Sequence, residues 1–111
     1  MTEKQMEEMV ENNPRVYLDI LKSGSLNPTD LTFALEILGL ISEEYYEEAL
    51  EILEQGLEHP KAYVREGALY GLGSIARMYD EAWDIVENHK DEDEDLNILK
   101  NDIISRRDVD V

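Results

Sequence analysis

The sequence predicts an all-α protein of six to seven helices, arranged as a small stack of antiparallel helix pairs. Apolar residues recur at three- and four-residue spacing along most of the chain, which is the periodicity of amphipathic helices. The frame Ala-Leu-x-x-Leu-Gly-x-Ile occurs at residues 34–41 and again at 68–75. The segments 18–24 and 50–56 also match each other. A period of about 32 to 34 residues indicates helix pairs that bury their apolar faces by stacking.

The elements follow one another at clear start and stop signals. An N-terminal helix over residues 2–12 ends before Pro14, because the residue before a proline avoids helical angles. Pro14 then opens a second helix that Gly24 closes. We expect one domain over residues 1–111. Its repeat units cover residues 14–42, 43–77 and 79–105, with a last helix from about Asp93 to Ser105 and a frayed tail over 106–111.

The inner helix of the second unit carries the most specific pattern. It consists of Pro60, Val64, Arg65, Ala68, Leu72 and Gly73. This pattern resembles the inner-helix signature of HEAT repeats, although Gly67 and Gly71 stand where that family usually has alanine. The resemblance implies a scaffold for protein interactions and implies no chemistry. We interpret Gly39 and Gly73 as places where neighbouring helices approach closely, because glycine otherwise weakens a helix.

The charge of the chain limits its partners. The sequence has 27 acidic and 10 basic residues, a net charge of -17, with 42% hydrophobic residues that can form a core. Such a charge repels nucleic acid and anionic membranes, so neither is expected as a direct partner. The absence of cysteine and of any apolar run of roughly 20 residues predicts a cytoplasmic protein without disulfides or a membrane span.

The helix predicted over residues 43–57 contains many carboxylates and no base. Carboxylates four residues apart on a helix repel each other, and no lysine or arginine of this helix offsets that cost. We therefore predict a docking surface for a basic protein, and the alternative is a solvated outer face. The first group of binding residues comprises Glu44, Glu47, Glu48 and Glu51. Asp80 and Asp84 are expected to extend it one unit later as a continuous anionic wall.

A second surface is predicted on the inner helices, which line the concave side of such stacks. Tyr63, Glu66 and Tyr70 fall on one stripe of the second inner helix, and Glu36 lies beside them on the first. Exposed tyrosines next to acids are typical of recognition patches. The alternative is that the two tyrosines only cover the seams between helices.

Catalytic and metal chemistry have little support in the sequence. Acids at 91, 93, 95 and 102 occupy positions 1, 3, 5 and 12 of a calcium-binding loop, but Leu96 stands where that loop requires glycine. We therefore predict an acidic linker, and no metal or cofactor. The two histidines, His59 and His89, are expected in turns. No nucleophile motif or phosphate loop is present, so we predict that the protein is not an enzyme.

Charge and architecture together suggest two functions. The first is a non-enzymatic inhibitor of a basic protein that acts on nucleic acid. A nuclease toxin would be one such partner, since the chain is similar to immunity proteins in size and charge. The second is a generic HEAT-like adaptor that binds a peptide or protein through Tyr63 and Tyr70. An enzyme built on residues 91–102 is the third and least supported alternative.

Overall fold

The computed structural model describes the backbone of residues 1–109 and the side chains of residues 1–107. This part of the chain is all-α, as predicted, with seven α-helices and no strand. The helices are α1 (Glu3–Asn12), α2 (Pro14–Ser23), α3 (Pro28–Glu36), α4 (Tyr46–Gly56), α5 (Ala62–Ala76), α6 (Glu81–Asn88) and α7 (Glu94–Val109). No helix in the described region is long and apolar enough to cross a membrane.

The first helices begin and end where the sequence predicts. The Thr2 side chain accepts a hydrogen bond from the Gln5 amide, and the Gln5 side chain accepts one from the Thr2 amide, which is a capping box. Pro14 stands at the start of α2, where its missing N–H costs nothing. Gly24 ends α2 with a φ of 72°, a left-handed conformation that glycine adopts without strain.

Helix α5 is the centre of the packing. It contacts α3, α4, α6 and α7, and its buried side chains include Val64, Ala68, Leu69, Leu72 and Ile75, all 0% exposed. The backbone of α3 lies so close to α5 that a Cβ atom on Gly71 would be 2.2 Å from the Leu35 carbonyl oxygen. Close approach at Gly39 and Gly73 is confirmed, since added Cβ atoms would be 2.4 Å from the Ser74 Cβ and 3.0 Å from Ile103.

The two copies of the repeated frame differ in backbone conformation. Residues 68–75 are α-helical throughout, whereas α3 ends at Glu36 and Ile37–Leu40 forms a 3₁₀ turn. The tighter turn leaves Leu38 and Ile41 buried while the chain leaves the helix at Ile41, whose backbone is extended. A second 3₁₀ turn, Glu43–Tyr45, precedes α4, so the predicted helix over 43–57 is α-helical only for Tyr46–Gly56.

The C-terminal helix is longer than predicted. It continues through Val109, whereas the sequence predicted a helix to about Ser105, and residues 110 and 111 lie outside the described part. Two contacts account for the extension. Arg106 pairs with Asp102 one turn earlier at 3.2 Å, and Arg107 donates to Glu87 at 3.0 Å. The Arg107 guanidinium also lies 5.1 Å from the centre of the Trp83 ring.

Candidate protein-binding surfaces

Helix α4 separates its apolar and acidic residues as predicted. Tyr46, Ala49, Leu50, Leu53 and Leu57 are buried, and Ile52 joins them in the core. Glu44, Glu47 and Glu51 are exposed on the other side of this region. The helix contains no lysine or arginine, so any compensation of its charge must come from other elements.

Glu48 receives such compensation from α2. Arg15 Nη1 donates to Glu48 Oε1 at 2.9 Å, and both Arg15 Nη2 and Lys22 Nζ contact Oε2. Hydrogen bonds from Arg15 and then from Lys22 lower the pKa of Glu48 to about 2. The prediction that Glu48 is an uncompensated carboxylate is therefore wrong. The sequence argument considered only bases within the same helix, whereas both partners lie one helix pair earlier.

The other five predicted acids keep their carboxylates exposed to solvent. None of them forms an ion pair with a described side chain. We call this set the acidic face; it consists of Glu44, Glu47, Glu51, Asp80 and Asp84. These residues could meet basic groups of another molecule without first breaking an ion pair to a described residue.

Two tyrosines join α4 to α6 beneath the acidic face. The rings of Tyr46, the first residue of α4, and Tyr79, just before α6, have centroids 5.8 Å apart and are tilted by 56°. The pKa of Tyr79 is raised, first by its hydrogen bond with the Glu81 carboxylate and then by burial and the charges of Glu81 and Glu47. One carboxylate near each helix start, Glu47 for α4 and Glu81 for α6, thus acts on the Tyr79 hydroxyl.

The second predicted surface follows the exposed stripe of α5. Tyr63 and Tyr70 are 45% and 40% exposed, and Glu66 is also exposed. Two cavities meet at Ser74 on this stripe. One of about 140 Å³ is lined by Tyr70 and by residues of α6 and α7, and one of about 290 Å³ is lined by Glu36 and the 3₁₀ turn after α3.

We call these two cavities the α5 groove. Tyr70 lines one cavity and Glu36 lines the other, and both cavities are also lined by Ser74 and Arg77. Tyr63 and Glu66 line neither cavity, and the Tyr63 ring instead has the Lys61 ammonium 6.0 Å from its centre. Of the four predicted binding residues of this surface, Tyr70 and Glu36 line the groove.

A buried ion pair links α5 to the segment before α7, and the sequence analysis missed it. Arg65 Nε and Nη2 donate to the two carboxylate oxygens of Asp91 at 3.0 and 3.1 Å. The two side chains are only 8% and 1% exposed. Arg65 Nη1 also donates to the His59 carbonyl oxygen at 2.8 Å. The sequence contains one sign of such a pair. Arg65 lies on the same face of α5 as Leu69 and Leu72, and a charged side chain on a buried face needs a partner of opposite charge.

The Asp91 carboxylate has further partners that leave it no free capacity for a metal. The Asp93 amide donates to it at 2.9 Å, and His89 Nε2 lies 2.7 Å away. Burial raises the pKa of Asp91, but the hydrogen bonds from Arg65, Asp93 and His89 outweigh burial and lower the pKa to about 2. Asp102, the last acid of the calcium-like spacing, pairs with Arg106 instead. Among the described residues no cluster could hold a metal ion.

No protein-family model, curated protein or solved structure matches this chain. The resemblance to HEAT repeats stays a prediction from the sequence. The acidic face and the α5 groove are the two candidate binding surfaces, since the Arg65–Asp91 pair links α5 to the segment before α7.

Proposed function

We propose that the protein is a non-enzymatic binding protein whose acidic face captures a basic protein. One observation carries this proposal. Glu44, Glu47 and Glu51 are exposed, lie in a chain segment (residues 43–57) that contains no lysine or arginine, and form no ion pair with the described side chains, whereas Glu48 beside them pairs with Arg15 and Lys22 of α2. A face whose negative charge is not neutralised by the protein itself is suited to a positively charged partner.

The energetics of the acidic face favour association. Glu47 and Glu51 are four residues apart on α4 and repel each other by a few tenths of a kcal/mol. A basic partner removes this repulsion and adds attraction. Charge complementarity of this kind also steers encounter, so association rates at low salt approach about 10⁸ M⁻¹s⁻¹.

The partner that fits best is a protein that itself acts on nucleic acid. Such proteins carry basic surfaces that bind phosphates, and a protein with a net charge of -17 can occupy those surfaces. The result would be inhibition by direct competition, as in immunity proteins that neutralise toxic nucleases. A HEAT-like stack of helix pairs in the cytoplasm would provide the rigid support, and no cofactor is required.

The test uses purified basic nucleases and measures inhibition of nucleic-acid cleavage and binding by calorimetry. We expect affinity for a target nuclease to fall at least about tenfold between 50 and 200 mM salt. The triple variant Glu44→Lys, Glu47→Lys, Glu51→Lys should abolish binding. The matched control reverses three exposed acids of α1, Glu3, Glu7 and Glu11, with the same change of net charge. Equal loss in both variants would contradict a specific acidic face.

The α5 groove supports a second candidate function, an adaptor that binds a peptide or protein. The supporting observation is that Tyr70, 40% exposed, borders a cavity of about 140 Å³ beside Gly73 and Ile103. An exposed aromatic next to a cavity can anchor an apolar side chain. In this case Tyr70→Ala should remove binding, and the complex should change little with salt. A salt titration and the variant Tyr70→Ala therefore distinguish the two functions. Strong salt dependence supports the acidic face, and loss of binding in Tyr70→Ala supports the α5 groove.

A further inference from the structure

We propose that the ring pair of Tyr46 and Tyr79, with the carboxylates around it, is the binding site for an arginine side chain of the basic partner. This inference rests on the proposed function and deepens it, because it names the chemical group recognised and the position on the acidic face. The site lies where the first residue of α4 meets the turn before α6.

The first support is a tyrosine hydroxyl that reaches the surface and has no hydrogen-bond partner among the described residues. Tyr46 is 7% exposed, and its hydroxyl forms no hydrogen bond with any described residue. No fully buried side-chain oxygen or nitrogen in the described region lacks a partner, so this hydroxyl must reach the surface. The nearby charge is that of Glu43. Burial is the larger cause that raises the pKa of Tyr46, and the charge of Glu43 is the second. A nearly buried tyrosine therefore presents an unpaired polar atom to the acidic region.

The second support is the arrangement of carboxylates and rings. Glu47 follows Tyr46 in α4, and Glu81 lies two residues after Tyr79 at the start of α6. The ring contact of 5.8 Å brings these two short segments together. Tyr79 is only half-buried, and the charges of Glu81 and Glu47 act on its hydroxyl. An aromatic surface next to negative oxygens is a favourable environment for a cation.

The protein supplies no cation of its own to this position. Within the described residues, Glu43, Glu47 and Glu81 form no ion pair, and neither α4 nor α6 contains a base. The nearest bases in the packing of α4, Arg15 and Lys22, are committed to Glu48. A cation at the ring pair must therefore come from another molecule.

Arginine fits this site better than lysine. A guanidinium is planar and can lie against an aromatic ring while its N–H groups donate in several directions. The site offers oxygens on two helices as well as the Tyr46 hydroxyl, so one guanidinium could satisfy several acceptors at once. An ammonium group is more strongly hydrated and does not stack, and it would use fewer of these features.

The test uses a tripeptide, acetyl-Gly-Arg-Gly-amide, titrated into the full chain labelled with ¹⁵N. We expect the largest amide shifts at residues 43–47 and 79–81, and weaker binding of the matched acetyl-Gly-Lys-Gly-amide. Glu47→Gln and Glu81→Gln should each weaken binding by about tenfold, the loss of one charged hydrogen bond. Glu54→Gln is the matched control, since it removes an exposed charge of α4 away from the rings and should leave the affinity unchanged.

A tyrosine variant tests the role of the ring. Tyr79→Phe should keep most of the affinity, because the ring remains, whereas Tyr79→Leu should lose it; thermal unfolding checks that both fold. Shifts spread evenly over α1, α4 and α6, or equal effects of Glu47→Gln and Glu54→Gln, would overturn the inference. If the tripeptide binds at the rings but no basic nuclease is captured, only the proposed function fails. If capture succeeds and the tripeptide shows no localised site, only this inference fails.

Discussion

Arg65 and Asp91 form a two-pronged ion pair that is almost inaccessible to water, although 26 residues separate them in the chain. The pair ties α5 to the segment that precedes α7. Asn97 adds to this connection by accepting from the Asp91 amide at 2.9 Å and donating to the Asp91 carbonyl oxygen at 2.8 Å. Asp91 therefore helps to position α7, which forms one wall of the α5 groove together with its buried residue Ile103.

Removal of the arginine should be among the most damaging single changes to the fold. Arg65→Met leaves the Asp91 carboxylate buried without its main partner, so we expect a loss of about 3–5 kcal/mol in the free energy of unfolding. Urea denaturation followed by circular dichroism measures it. Arg106→Met is the control, because Arg106 is 69% exposed and its pair with Asp102 should contribute at most about 1 kcal/mol. Similar losses in the two variants would contradict the buried role of Arg65.

The same carboxylate should make stability depend on acid. The pKa of Asp91 is about 2 in the folded protein and near 3.8 when unfolded, so the unfolded state binds a proton first as the pH falls. The stabilisation, about 2 kcal/mol, is complete above about pH 5 and is lost between about pH 4 and 2. Asp91→Asn lacks this dependence.

A comparison of wild type and Asp91→Asn isolates this effect from the titration of the other acids. The difference in their free energies of unfolding, measured by urea denaturation between pH 7 and pH 2.5, should shrink as the pH falls. A difference that stays constant over this range would show that the Asp91 carboxylate is not selectively stabilised in the folded state.

The sequence predicted features that depend on one helix, as well as the close approach at Gly39 and Gly73, and missed the side-chain pairs between helices. The apolar stripes of α4 and α5, the helix start at Pro14 and the exposure of Tyr63 and Tyr70 all follow from periodicity and local caps. The partners of Glu48 and Arg65 do not, because they lie on other elements 26 to 33 residues away. Pairing across helices depends on their packing, which periodicity alone does not determine.

The binding surfaces show the same division. Periodicity placed Glu44, Glu47 and Glu51 on the exposed side, and the structure places them there. It could not reveal that Tyr46 and Tyr79 meet, because one ring belongs to the buried stripe of α4 and the other to the turn before α6. The contact between these two rings depends on how α4 packs against the turn before α6.

The close contact of α3 with α5 gives a third prediction. A Cβ atom on Gly71 would be 2.2 Å from the Leu35 carbonyl oxygen and 2.8 Å from the Leu53 side chain, and a backbone atom cannot move aside cheaply. Gly71→Ala should therefore destabilise the protein by about 1–3 kcal/mol, despite the better helix propensity of alanine. Thermal or urea unfolding provides the measurement.

Gly73 is the matched control in the same helix. An alanine there would meet the Ile103 side chain at 3.0 Å, and a side chain can shift by a few tenths of an ångström. The gain in helix propensity, about 1 kcal/mol, should offset much of that cost, so Gly73→Ala should change stability little. Equal destabilisation by both substitutions would mean that the α3 backbone does not limit the space at Gly71.

Substitutions of the neighbouring glutamates Glu47 and Glu48 should affect stability and binding differently. Glu48→Gln weakens the contacts with Arg15 and Lys22, so we expect a loss of about 1 kcal/mol in the free energy of unfolding, modest because the Glu48 carboxylate is 24% exposed. Glu47→Gln breaks no ion pair with a described residue and relieves the repulsion of Glu51. It should therefore raise stability by a few tenths of a kcal/mol.

Glu48→Gln should be the more harmful of the two substitutions for stability, and Glu47→Gln the more harmful for binding to a basic nuclease at low salt. Glu47→Gln removes a carboxylate that a partner can reach, whereas Glu48→Gln alters one whose charge is already neutralised within the protein. We expect the first substitution to weaken binding several-fold more than the second, in calorimetric titrations of both variants under the same conditions. If both weaken it equally, the partner responds to the total charge of the protein, and the local arrangement of α4 and α6 has no part in recognition.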